Sequence, residues 1–194
     1  MISSRYHKMS SSDPQDARAV AELIDRLGRL LRSESHAEGL IPAQWEAIRY
    51  LARCNRFSNT AGALARYLGA TKGTVSQTLN ALERKGLIVR SPDPTSRRIV
   101  RLTLTAAGRV LTARDPLRHL SDAAAALPAD ALATTAGSLT ALLASMAAGN
   151  KNPFGVCRTC RHFRPGAGQP HWCALLNEAL SEQDSAAICI DHAA

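Results

Sequence analysis

The sequence predicts a mainly helical chain carrying one small β-hairpin, and three observations support that prediction. Ala and Leu dominate a composition that is 45% hydrophobic but only 4% aromatic, which favours helices over a β-sandwich. Apolar residues recur at helical spacing in successive segments, each bounded by capping residues or Gly and Pro. A single pair of β-prone runs, LIVR and RRIVRLTLT, flanks Ser91-Pro92-Asp93-Pro94-Thr95-Ser96, whose Pro and Asp mark a turn. At 194 residues there is room for one ordinary domain and an appendage.

The elements follow in order. Residues 1–12 are Ser-rich and read as a disordered start. Asp13 is a suitable N-cap and Pro14 a suitable first helical residue. The helix they open carries Val20, Leu23, Ile24, Leu27, Leu30 and Leu31 on one stripe, so residues 13–40 form an N-terminal helix and its exit. Gly39 to Pro42 connect it to a second helix, PAQWEAIRYLARC, which buries Trp45, Ile48 and Leu51. Asn59-Thr60 caps a short third helix, AGALARYL, ended by Gly69. Thr71 caps a fourth, KGTVSQTLNALERK, with Val75, Leu79 and Leu82 on one face and Gly86 as its stop. After the hairpin, Thr105 caps a fifth helix that Pro116 kinks or restarts. Pro128 begins another, which Gly149-Asn150 closes.

Charge then points to a partner. The chain carries a formal net charge of +8, and the segment from Arg66 to Arg101 holds eight basic residues against Glu83 and Asp93. The positive charge therefore sits on the fourth helix and the hairpin, as a polyanion-binding surface requires. Two helices joined by the tight Gly69-Ala70-Thr71 turn and followed by a hairpin are the parts of a winged helix-turn-helix, assigned to residues 41–108. The apolar stripe fixes the rotation of the fourth helix, which leaves Gly73, Gln77, Asn80 and Arg84 opposite it. Thr71, Lys72 and Thr74 occupy the cap and first turn, and Ser76 the side. Gln and Asn amides pair bidentately with adenine in a major groove, and Ser or Thr hydroxyls reach bases or phosphates. Arg90, Arg97, Arg98 and Arg101 give the hairpin a basic edge suited to the neighbouring minor groove or backbone, with Asp93 expected to pair with Arg97 or Arg98. The expected DNA-binding set is Thr71, Lys72, Gly73, Thr74, Ser76, Gln77, Asn80, Arg84, Arg90, Arg97 and Arg98.

The segments LIPAQWEAIRYLARC, ALARYLGATKGTVSQTLNALERKGLIVR and DPTSRRIVRLTLTAAGRVL resemble the MarR family of bacterial regulators. The resemblance covers roughly residues 15–148 and is sharpest from Leu64 to Gly108. It implies a homodimer held by the helices of Val20–Leu31, Val110–Leu127 and Leu132–Met146, so residues 109–149 are assigned to dimerisation. It also implies a pseudo-palindromic double-stranded DNA site read by one helix per half-site, repression as the usual outcome, and release by a small-molecule effector or an oxidant. Pro116 departs from the family by interrupting the long helix that joins its DNA-binding and dimer parts.

The Cys-rich tail, residues 150–194, lies outside the resemblance. It reads Cys157-x2-Cys160-x12-Cys173-x15-Cys189, so four of the five cysteines fall in the last 38 residues. Such a cluster in a reducing compartment points to metal more than to disulfides. With few aliphatics the tail lacks a core of its own, and a metal would supply the missing stabilisation. One CxxC pair with two single cysteines favours an iron–sulfur cluster slightly over structural zinc, which usually presents two paired knuckles. The spacing also resembles that of small high-potential-type 4Fe-4S folds. His162 is a possible substitute ligand. Cys54 reads as a buried, inert thiol.

Other classes fit less well. There is no HExxH, no GxSxG and no phosphate-binding Gly-rich loop, so no enzyme is expected and no catalytic residue is assigned. An iron–sulfur electron carrier would not need Gln77, Asn80 and the arginine hairpin. A sequence-nonspecific DNA-binding protein would share the charge but not the base-reading face. The chain has no long apolar run and no signal-peptide pattern at its start, so a cytoplasmic location without membrane partners is expected.

Overall fold

A computed structural model describes residues 14–147, 154–166 and 170–193. The expected caps at Asp13 and Gly149-Asn150 and the start at residues 1–12 lie outside the described residues. Helix α1 (Pro14–Glu34) is followed by a 3-10 turn, Ala37–Gly39, then by α2 (Pro42–Arg53), α3 (Ala61–Leu68) and α4 (Lys72–Arg84). Strands β1 (Ile88–Pro92) and β2 (Val100–Leu104) form the hairpin, and α5 (Ala106–Thr112), α6 (Leu117–Ala125) and α7 (Ala129–Ala147) follow. Among the described residues no helix is long and apolar enough to cross a membrane.

The caps explain where α2, α3 and α4 begin and end. Pro42 opens α2, and Gln44 turns back to accept from the Ile41 N–H at 3.4 Å. The Thr60 hydroxyl accepts from Ala63 N–H, and Thr71 does the same for Thr74 N–H. Gly69 ends α3 at φ 60°, a left-handed conformation that costs a glycine little. Trp45, Ile48, Leu64, Val75, Leu79 and Leu82 are buried together with Ile88, Leu102 and Leu104 of the hairpin. Each such side chain contributes about 1.5–3 kcal/mol by leaving water.

The hairpin pairs antiparallel from Ile88↔Leu104 to Pro92↔Val100. This corrects the expected turn: Ser91 and Pro92 belong to β1, and the turn spans Asp93 to Ile99. Pro92 is tolerated because it ends its strand, where a missing N–H breaks no ladder bond. Asp93 N–H donates to Ile99 O at 2.9 Å and closes the loop. Gly108 lets α5 press on the hairpin base, since a Cβ there would lie 2.2 Å from Leu87 O.

Pro116 does restart the helix, standing immediately before α6. Arg49 of α2 grips Asp115 at this break with three hydrogen bonds, from Nε to Oδ1 at 3.0 Å and to Oδ2 at 2.7 Å, and from Nη2 to Oδ1 at 2.5 Å. Burial would raise the Asp115 pKa, but the guanidinium and the Leu117 N–H outweigh it and hold the carboxyl below its ordinary value. Helices α1 and α7 remain uncovered: Leu23, Leu143 and Met146 are all strongly exposed.

The tail has more regular structure than its composition announces. Strand β3 (Gly155–Val156) pairs with β7 (Ile188–Cys189), and β4 (Phe163–Arg164), β5 (His171–Cys173) and β6 (Glu178–Leu180) form a second small sheet. A 3-10 turn, Cys157–Thr159, and a one-turn helix, α8 (Glu182–Ser185), complete it. As its few aliphatics suggest, it borrows the core formed by α2 to β2. Ile188 is buried in that core, and Phe154 and Ile190 pack against it.

Candidate nucleic-acid interface and cysteine cavity

Helix α4 is fixed by its apolar side and open on its polar side. Val75, Thr78, Leu79 and Leu82 are buried. Thr71, Lys72, Gly73, Thr74, Ser76, Gln77, Asn80 and Arg84 are all exposed, as are Arg90, Arg97 and Arg98 of the hairpin. The structure thus places the whole expected set on one accessible stretch of helix and hairpin. Several members also have structural duties. Thr71 Oγ1 caps the helix and lies 3.0 Å from Thr74 Oγ1. Arg90 donates to Asn80 Oδ1 at 2.8 Å and pairs with Glu83 at 2.8 Å, which ties the hairpin to the helix.

The expected partner of Asp93 is corrected. Asp93 pairs with Arg101 at 2.6 Å, not with Arg97 or Arg98. The cause is the longer β1: Arg97 and Arg98 ride on the tip, while Arg101 sits on β2 below the turn. Asp93 Oδ1 also accepts from Thr95 Oγ1 at 2.5 Å and Thr95 N–H at 2.8 Å. The Thr95 hydroxyl and the Arg101 guanidinium together hold the Asp93 carboxyl far below the usual carboxylate range. Arg101 reaches inward too, donating to Phe57 O at 2.9 Å and Asn59 Oδ1 at 3.2 Å. Of the basic residues counted in the sequence, Arg101 and Lys85 are therefore structural; Lys85 holds Gly39 O and Gln44 Oε1.

All four tail cysteines line one small cavity. Cys157, Cys160, Cys173 and Cys189 line a pocket of only about 10 Å³ with His162, and Phe163 and Leu180 supply apolar wall. Cys157 N–H and Cys160 N–H bond to Ala187 O and Cys157 O, so the CxxC segment turns both side chains to one side. Two sulfurs accept hydrogen bonds: Asn55 Nδ2 donates to Cys157 Sγ at 3.3 Å and Ala193 N–H to Cys160 Sγ at 3.4 Å. The Cys157 thiol donates to Cys189, which pulls Cys189 down to about 6 and pushes Cys157 far up. Among the described residues no three His, Cys, Asp or Glu side chains come together as a site for a single metal ion. His162 lines the cavity but has its Nε2 facing Arg161 Nε at 3.3 Å. Cys54 stands apart: burial pushes its thiol up to about 12, which suits the inert role expected.

The residues that sequence reading missed are those that fasten the tail. Asn55 N–H donates to Ile188 O at 2.9 Å, and Ile190 N–H donates to Ser58 Oγ at 2.9 Å. Arg56 pairs with Asp184 at 2.8 Å and donates to Ala179 O at 2.5 Å. These contacts join positions more than a hundred residues apart, for which local spacing carries no signal.

Comparison with known proteins agrees with the geometry. Residues 38–99 match the MarR family, whose members are transcription regulators and not enzymes. None of the curated proteins matches the chain. Among solved structures, Streptococcus pneumoniae FabT in complex with DNA is similar with a TM-score of 0.54 and 24% identity, over 68% of this chain and 97% of that one. The S. aureus MepR–DNA complex gives 0.52 and 23%, over 64% and 96%. A MarR family protein from Bacillus stearothermophilus gives 0.55 and 18%, over 71% and 99%. At these identities the likeness establishes a shared winged-helix fold.

Proposed function

Starting from a winged helix of the MarR type, we propose that this chain is a sequence-specific regulator of transcription that binds double-stranded DNA as a homodimer and acts as a repressor. One observation carries the reading: Gly73, Gln77 and Asn80 face solvent on a helix locked from behind by Val75, Leu79 and Leu82. Gly73 admits close backbone approach, and the amides of Gln77 and Asn80 read adenine edges in the major groove. Lys72, Arg84, Arg97 and Arg98 neutralise phosphates, and the open N-terminal turn of α4 with Thr71 and Thr74 adds N–H donors for one of them. Ser76 and Arg90 flank the face. FabT and MepR, as complexes with DNA, are examples of the same fold at this work.

The dimer is assigned from the uncovered apolar residues of α1 and α7, which a second copy would cover. The two reading helices then address half-sites one helical turn apart on a pseudo-palindromic operator. The signal enters through the cysteine tail. The second reading keeps the regulator but makes the tail a structural zinc module and gives the sensing to a small-molecule effector.

Selection of binding sites from random duplexes tests the function. The expected result is an enriched two-fold motif, with affinity falling steeply as salt rises. A steep salt dependence with no enriched motif overturns it in favour of nonspecific DNA binding.

A further inference from the structure

The hairpin grips the polar face of α4 through one side chain. Arg90 lies on β1, where Ile88 of the same strand and Leu102 across the ladder are buried, so the strand beneath it is fixed. Its guanidinium spans two residues of α4 that stand three positions apart. One nitrogen donates to Glu83 Oε2 and the other to Asn80 Oδ1, both at 2.8 Å. Helix α4 is fixed in turn by Val75, Leu79 and Leu82. Both ends of the bridge therefore stand on rigid elements, as a pre-organised recognition group requires.

The bridge decides which way the Asn80 amide points. A guanidinium has donors and no acceptor, so the amide atom that meets it is the carbonyl oxygen. The NH2 group is left as the outer end. Bidentate pairing with adenine needs both ends of an amide, the oxygen for N6–H2 and the nitrogen for N7. At Asn80 the oxygen is engaged by a cation in a charge-assisted bond. A base amino group approaching that oxygen would meet the guanidinium N–H groups, donor against donor. Asn80 thus offers its donors alone, and these suit N7, the acceptor that adenine and guanine share. Glu83 belongs to the same device. An exposed ion pair is weak by itself, but its carboxylate occupies the second arm of the guanidinium fork and sets the plane in which the first arm meets Asn80. Gln77, three residues earlier and exposed, has no such bond among the described residues and keeps both ends of its amide.

We infer that Arg90 is a positioning residue for base recognition: by holding the Asn80 carbonyl it makes the position read by Asn80 accept either purine, while the position read by Gln77 demands adenine. The inference deepens the DNA-binding reading above and rests on it.

The test is selection of binding sites from random duplexes with the full chain, with Asn80→Ala and with Arg90→Met. Asn80→Ala assigns the position, which is the one whose preference it abolishes. In the parent that position should hold adenine and guanine about equally. Arg90→Met keeps the stem of an exposed side chain but removes the donors. It should free the Asn80 oxygen and raise adenine over guanine at that position by about fivefold or more, the lower end of what one bidentate pair gives. The adenine read by Gln77 should stay in both proteins. Strict adenine at the Asn80 position in the parent overturns the inference. So does an Arg90→Met protein that binds all sequences more weakly with unchanged preferences, since Arg90 would then be a phosphate contact. A motif that Asn80→Ala leaves intact overturns it as well, because Asn80 would read no base. Absence of any enriched motif in the parent is instead a failure of the DNA-binding reading.

Discussion

The winged helix and the tail are held together by opposite means. The winged helix, α2 to β2, closes over Trp45, Ile48, Leu64, Leu79 and Leu82, a continuous apolar core. The tail has Leu180 and Ile188 as its large buried aliphatics, and Ile188 lies in the core of the winged helix. What fastens the tail is Ile188 in that core and a few polar anchors, chiefly Asn55, Arg56 and Ser58. The lesson is that a segment too polar to fold alone acquires structure by docking on a neighbouring core. His192 illustrates how closely the tail is fitted: its ring leaves no space for a Cβ at Gly155, and its Nε2 lies 3.0 Å from Thr159 Oγ1.

The comparison can be broken at the core first. Leu79→Ala should cost about 2–5 kcal/mol in denaturant unfolding, because a fully buried side chain leaves a cavity. It should abolish DNA binding at temperatures where the parent binds. Asp184→Ala should cost less, about 1–2 kcal/mol, by removing the acceptor of Arg56 and of the Ser181 hydroxyl. Its signature is regional: limited proteolysis should free the tail while α2 to β2 stay resistant. Equal susceptibility of both regions would mean that they form a single cooperative unit.

The reading face sharpens the comparison without unfolding anything. Gln77→Ala should cost about 1–3 kcal/mol of affinity and relax the motif at one position per half-site. Arg97→Ala should weaken binding to all sequences alike and reduce the salt slope by about one per protomer. If both substitutions acted alike on all sequences, α4 would not be the element that reads bases. The smallest stability effect is expected at Thr60→Ala, about 1 kcal/mol for a lost N-cap.

A pH series probes the hairpin tip. The Asp93 pKa is lowered on folding, so its contribution to stability is full above the ordinary carboxylate pKa. That contribution disappears only as pH falls through the lower folded value. Amide protection of the loop from Asp93 to Ile99 should therefore persist when pH is lowered from 7 to about 4, near the ordinary Asp value. Asp93→Asn should reduce that protection at every pH. Loss of protection near pH 4 in the parent would show that Arg101 does not hold the carboxylate.

The winged helix was legible in the sequence because its signals are local. The stripe of Val75, Leu79 and Leu82 fixed the rotation of α4, and Thr60, Thr71 and Thr105 all cap helices as their positions suggest. The hairpin was legible in outline, but its turn moved because strand pairing at Ser91 and Pro92 outweighed their turn preference. That shift gave Arg101, not the tip arginines, to Asp93. The four cysteines were legible as a group. Their dock was not, because Asn55 and Cys157 meet across 102 positions of chain and neither residue type announces the other. Ser58 looked like an ordinary loop residue before α3, yet it is buried, donates its N–H to Asn55 Oδ1 and accepts from Ile190 N–H.

The most direct test of the link between the two regions is hydrogen exchange on the full chain and its Asp184→Ala variant. Losing the acceptor of Arg56 should lower amide protection in the tail and, together with it, in the Asn55–Asn59 loop that the tail docks on. Loss confined to residues 154–193, with the loop unchanged, would contradict the account: the tail would be ordered on its own and not by its dock on α2 to β2.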